Sequence, residues 1–91
     1  MTKKKLCPLH EASQSCGVSS ELIIRFISFE WIKPAERAEE VEEHYLFDEE
    51  DIARVRLIFN LQNDFGVNDE SIPIILNLID QLNRYHIEIK K

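Results

Sequence analysis

The sequence is short of most of what marks an unusual protein class. Two glycines and three prolines among 91 residues are too few for a fibrous or low-complexity chain. An apolar fraction of 44% is enough to bury a core, which argues for a folded domain rather than a disordered one. Two cysteines, Cys7 and Cys16, make no disulfide framework. No apolar signal segment precedes them, since Met1-Thr2-Lys3-Lys4-Lys5 runs straight into a predicted helix, so the expected location is the reducing cytoplasm. No apolar run approaches the roughly 20 residues that cross a bilayer. Even Ile72 to Leu82 is broken by Pro73, Asn77, Asp80 and Gln81.

Chemistry-bearing motifs are equally scarce. There is no Gly-rich phosphate loop and no nucleophile elbow, and so small a domain is expected to hold no active-site pocket, so no catalysis is expected. Cys7, His10 and Cys16 supply three potential ligands where structural zinc normally takes four, and helical spacing gives Cys16 a core position. No metal and no cofactor are expected. His10-Glu11 begins like a zinc-protease helix, but Gln14 stands where the second histidine belongs.

What the sequence does have is a segregated charge. The net charge is −6, yet the stretch from Glu36 to Asp51 alone carries nine acids against one base, Arg37, for −8. The remainder is slightly basic, with Lys3 to Lys5 at one end and Lys90 and Lys91 at the other.

Helical signals organise the chain around that acidic middle. Leu6, Leu9, Ser13 and Cys16 recur at helical spacing up to Gly17, which predicts a first helix over about 8–16. Ser19 or Ser20 can cap a second helix over about 20–30, with Leu22, Ile23, Phe26, Ile27 and Phe29 on one broad face. Two short helices joined by Gly17-Val18-Ser19 have the spacing of a helix-turn-helix. Lys33-Pro34 ends the pattern, and residues 36–43 are too polar for a core. Trp31 with Ile32 on one side and Tyr45 with Phe47 on the other are candidates for a two-stranded ribbon carrying that loop as a wing.

Beyond the loop, Asp48 can cap a third helix with Asp51 at its third position and Phe47 stapled onto Ile52. Its stripe is Ile52, Val55, Ile58, Phe59, Gln62 and Phe65, ended by Gly66, and Glu50 with Arg54 is a candidate i,i+4 pair. Asn68 or Ser71 starts a long fourth helix, and the missing donor of Pro73 favours Ser71 or a locally loosened first turn. That helix carries two apolar stripes, Ile75, Ile79, Leu82, His86 and Ile89 in one and Ile74, Leu78 and Tyr85 in the other. Two faces need two partners, and the first stripe is the expected homodimer interface.

Four segments in this order carry a resemblance: Cys16-Gly17-Val18-Ser19-Ser20, Trp31-Ile32-Lys33-Pro34, Tyr45-Leu46-Phe47-Asp48-Glu49-Glu50-Asp51-Ile52 and Asp64-Phe65-Gly66-Val67-Asn68. Together they look like a MerR-type winged helix. The segment from Asp64 to Leu78 more closely resembles the chaperone-modulator CbpM branch, and the match runs over roughly residues 10 to 85. The resemblance implies an all-α fold with a small β wing, four helices and the last one long. Its parts would be a basic tail at 1–5 and a single domain at 6–91: helix-turn-helix at 6–34, wing at 35–47, third helix at 48–66 and fourth at 68–90. It also implies a non-enzymatic regulator that binds the J-domain of a CbpA-type, DnaJ-like co-chaperone and inhibits its work with DnaK. One departure is Glu30, where family members often carry glycine.

The alternative is a MerR-like DNA-binding transcription factor. Against it, the second helix offers only Arg25, and a wing bearing Glu36, Glu39, Glu40, Glu42 and Glu43 would meet phosphates with like charge. The same five glutamates suit a basic protein partner, with Trp31, Tyr45 and Phe29 as candidate apolar anchors where exposed. A structural dimer module with neither partner is the third class.

Overall fold

The computed structural model describes residues 6–35 and 45–89, with side chains to residue 85. Its elements are β1 (Cys7–Pro8), α1 (Leu9–Cys16), α2 (Ser20–Ser28), β2 (Leu46–Phe47), α3 (Glu49–Asp64), a 3-10 turn (Asp69–Ser71) and α4 (Ile72–Ile89). This is a small winged helix: four α-helices and one two-stranded antiparallel sheet among the described residues.

Local chemistry sets the helix ends. α1 stops at Gly17, whose φ of 72° is left-handed and whose N–H donates to the Ser13 carbonyl at 2.9 Å. The Ser13 hydroxyl donates to the Val18 carbonyl at 2.6 Å, which tightens the turn into α2. Ser19 caps α2 by accepting from the Leu22 N–H at 3.2 Å. α3 opens with a reciprocal box, in which Asp48 accepts from the Asp51 N–H at 2.8 Å and Asp51 accepts from the Asp48 N–H at 3.0 Å. Asn68 accepts from the Ser71 N–H at 3.0 Å and starts the 3-10 turn that feeds α4. The loosened start therefore lies just before Pro73, which has no N–H to donate.

α2 is shorter than its sequence pattern, ending at Ser28 with Phe29 as cap. The reason is a left-handed residue at Glu30, φ 64°. Glu30 N–H donates to the Ile27 carbonyl at 2.9 Å and Trp31 N–H to the Phe26 carbonyl at 3.0 Å, the paired bonds of a Schellman end. The apolar contact that accompanies such an end is Trp31 against Phe26, ring centroids 5.7 Å apart. The conformation normally given to glycine is thus kept by a glutamate, at a cost of about 1 kcal/mol. Glu30→Gly is expected to raise the thermal midpoint by a few degrees. A lowered midpoint in a calorimetric scan would show that the glutamate side chain more than offsets its backbone strain.

The sheet pairs differently from the ribbon expected around the loop. β2 runs antiparallel to β1, with Cys7 opposite Phe47 and Pro8 opposite Leu46. Trp31 and Ile32 are not its partners, because their backbone is committed elsewhere: the Trp31 N–H closes α2, and its carbonyl accepts from Arg54 Nε at 2.9 Å. Both side chains are buried instead.

One core joins all four helices. It contains Leu9 and Ala12 of α1, Val18, Ile23, Phe26 and Ile27 of α2 and its turn, Trp31 and Ile32, Phe47 of β2, Val55 and Ile58 of α3, and Ile72 and Leu76 of α4. On α3 the expected stripe holds through Val55 and Ile58, while Ile52, Phe59 and Gln62 are half-buried. Phe65 leaves it: the helix has ended by then, and the ring is 75% exposed.

Candidate functional site

A helix-turn-helix offers its second helix to a partner. The solvent face of α2 presents Glu21, Arg25 and Ser28, followed by Phe29, which is 44% exposed. Arg25 is the single base on that helix, and its exposed guanidinium has two neighbours. Its charge lies 5.7 Å from the centroid of the Phe29 ring, and Nη2 is 3.8 Å from Asp69 Oδ2 in the turn before α4. Asp69 is held in turn by Gln62 Nε2, which donates at 2.6 Å. The face that would meet phosphate therefore shows one cation, already beside a carboxylate.

Next comes the approach to the acidic segment. Residues 31–35 run along α3 and are tied to it twice. Arg54 donates Nε to the Trp31 carbonyl, and the Asp51 carboxylate accepts from the Ala35 N–H at 3.0 Å. Asp51 thus serves the helix cap and the loop root together. Burial pushes its carboxyl above the usual 3.8, a rise reinforced by the neighbouring Asp48 charge and opposed by the N–H donors of Asp48 and Ala35. Glu36, Glu39, Glu40, Glu42 and Glu43 lie outside the described residues. Where the chain resumes, Tyr45 is half-buried and edge-on to Phe47 at 6.4 Å, and Asp48 is buried while Glu49 and Glu50 are exposed.

Arg54 corrects a sequence expectation. It does not pair with Glu50 one turn earlier; its Nη1 and Nη2 donate to the two oxygens of Asp80 at 3.0 and 3.3 Å. This fork joins the α2–β2 connection, α3 and α4 at one guanidinium. Trp31 is corrected too: at 8% exposure it belongs to the core and is no exposed anchor. Phe29, 4.8 Å from it by ring centroids, is the exposed aromatic there.

The apolar faces of α4 sort by exposure. Ile72 and Leu76 enter the core, and Ile75 and Ile79 are half-buried. Ile74, Leu78, Leu82 and Tyr85 are 63%, 53%, 66% and 63% exposed. The outward row is therefore the second stripe joined by Leu82, while the side chains of His86 and Ile89 lie outside the described residues. Cys7 on β1 and Cys16 at the end of α1 are both half-buried. Cys16 donates to the Ala12 carbonyl at 3.0 Å, and His10 is an exposed residue of α1.

A family model described as "MerR HTH family regulatory protein" matches residues 7–91. The chain belongs to that family. A comparison with curated proteins finds no significant match. As a MerR-family regulator the chain uses α1 and α2 as its helix-turn-helix. No helix among the described residues is long and apolar enough to cross a membrane.

The Arg54–Asp80 fork has a pH signature. Its hydrogen bonds and charge, with a smaller contribution from Arg84, hold the Asp80 carboxyl below 3.8. A depressed carboxylate contributes stability that is present above its unfolded pKa and lost as pH falls through the folded one. Asp80→Asn is accordingly expected to lower the thermal midpoint at neutral pH, with the gap from the parent closing below pH 3.8. A gap that persists unchanged at about pH 2 would mean the loss came from packing rather than from charge.

Proposed function

We propose that this MerR-family chain regulates by binding a protein rather than DNA, and that its partner is the J-domain of a CbpA-type, DnaJ-like co-chaperone whose work with DnaK it inhibits. The observation that carries the first half is Arg25, the one base of the second helix, paired with Asp69. DNA binding draws a large share of its affinity from counterions released where Lys and Arg neutralise phosphates, and a second helix with one base, in a chain whose stretch from Glu36 to Asp51 carries −8, offers little such release. The second half rests on the resemblance of residues 64–78 to the CbpM branch. The acidic segment 36–43 and the start of α3 would steer a basic surface into place, with Phe29 and Tyr45 as apolar contacts.

Anisotropy titrations of a labelled J-domain and a labelled duplex in ~150 mM salt test it. Saturable binding of the J-domain with none of the duplex is expected. Sub-micromolar affinity for duplex DNA would overturn the reading, being well above typical non-specific binding.

The functional unit in this proposal is a homodimer formed through α4. The interface centres on the outward row of Ile74, Leu78, Leu82 and Tyr85, which includes Leu82 of the five residues expected from periodicity, while Ile75 and Ile79 are half-buried. A contiguous apolar row of this size left in water is unusual for a monomer. Leu78→Glu is expected to give a monomer by light scattering with the fold retained. A parent protein that is already monomeric at tens of micromolar would remove the dimer from the proposal.

A further inference from the structure

Beyond Leu76 no described residue of α4 belongs to the core, and a groove of about 760 Å³ is lined by α3, α4 and residues 30–33. Leu57 and Ile79, each half-buried, line it from the two helices. Charge surrounds this apolar lining on every wall. Glu30 stands on the first wall, Glu50 and Asp51 on α3, and Asp80 on α4. Of the two bases present, Arg54 is neutralised by Asp80, which leaves Lys33 alone against Glu30, Glu50 and Asp51. The groove also opens at the root of the acidic segment, because the Asp51 on its wall is the residue that holds Ala35.

We propose that this groove is a docking surface for a basic amphipathic helix of the protein partner. Apolar side chains of that helix would pack on Leu57 and Ile79 while its Lys or Arg heads reach the carboxylates above. A helix fits better than a strand, since the groove is lined by α3, α4 and residues 30–33 and no strand stands on its walls to offer a ladder edge. The walls are pre-set by the Arg54 fork and the Asp51 bond, so little ordering is needed on binding. The groove lies on the side of α4 facing its own domain, away from the outward row assigned to the dimer. This inference rests on the protein-binding reading and adds the place and the kind of segment bound.

The test is amide chemical-shift mapping on the full chain, with binding constants for two blocking variants. Ala53→Trp and Asn83→Trp fill the groove from exposed positions on its two helices, and Gln14→Trp on the exposed face of α1 is the control. Adding the J-domain is expected to shift Ala53, Leu57, Ile79 and Asn83 more than Glu21 and Ser28. The two blocking variants are expected to bind at least tenfold more weakly at unchanged thermal midpoints, with the control like the parent. Blocking variants that bind as the parent does, or shifts confined to α2 or to the outward row of α4, overturn the groove and leave the J-domain reading standing. If the J-domain does not bind at all, that reading falls, and a synthetic lysine–leucine amphipathic helix decides the groove. Binding lost in Ala53→Trp sustains it, and no binding to the parent overturns it.

Discussion

Replacing Trp31 by alanine is expected to destabilise the protein by about 3–5 kcal/mol, the usual cost of emptying a large aromatic site. A domain of this size has only about 5–10 kcal/mol in total. The side chain is 8% exposed and touches the rings of Phe26 and Phe29, at 5.7 and 4.8 Å between centroids. Its backbone closes α2 on one side and receives Arg54 on the other. Losing the indole therefore loosens three things together: the end of α2, the path to the acidic segment and the seat of Arg54. Trp31→Phe keeps an aromatic ring in the site and should cost less than half as much, since the lost volume is smaller. Urea unfolding measures both. A cost below about 1 kcal/mol for the alanine variant would mean that the indole adds little to the core and is free to act as a contact residue. In the expected case, any loss of partner binding by Trp31→Ala follows the unfolded fraction and vanishes where the variant is fully folded.

The places where sequence reasoning succeeded share a physical feature: they are local. Ser19, the Asp48 and Asp51 box, Gly17 and Asn68 all act on backbone groups within four residues of themselves, so a short window of sequence contains both halves of each interaction. The misses are contacts whose halves lie far apart. Arg54 has a carboxylate one turn away in Glu50, yet it takes Asp80, 26 residues on, because the fork geometry is met there and the Trp31 carbonyl fixes Nε. The strand opposite Leu46 and Phe47 is two residues long and includes a proline, and no periodicity can be read from so short a run. Glu30 was half-legible: the resemblance set a glycine at that place, and the structure gives the reason in its positive φ.

α4 shows a different limit. Its sequence has two apolar stripes, and period alone cannot say which one meets the domain. Ile72 and Leu76 decide the matter by entering the core, which turns Ile74, Leu78, Leu82 and Tyr85 outward. Neither core residue belonged to a stripe, because both sit at the helix start, where only a few residues of pattern are available. The acidic segment is a limit of a third kind: its composition reveals a charge and not a shape.

That charge carries the second large effect. Reversing Glu39, Glu40, Glu42 and Glu43 to lysine brings the stretch from Glu36 to Asp51 from −8 to neutral. Exposed charges steer encounter and contribute little to the bound state, so the change is expected in the association rate, which should fall at least tenfold for a J-domain at about 20 mM salt. Raising salt should slow the parent steeply and the variant hardly at all, since the Debye length is then too short for the segment to act at a distance. Fold stability should hardly move: the elements that fix the loop ends, the Asp51 bond to Ala35 and the pairing of β2 with β1, are left intact. Stopped-flow association at two salt concentrations, with a thermal scan of both proteins, separates the possibilities. A tenfold slower rate with an unchanged midpoint places steering in the segment. Equal rates at low salt would make the segment a solvated loop and leave docking to the groove between α3 and α4, whose own carboxylates the quadruple variant does not touch.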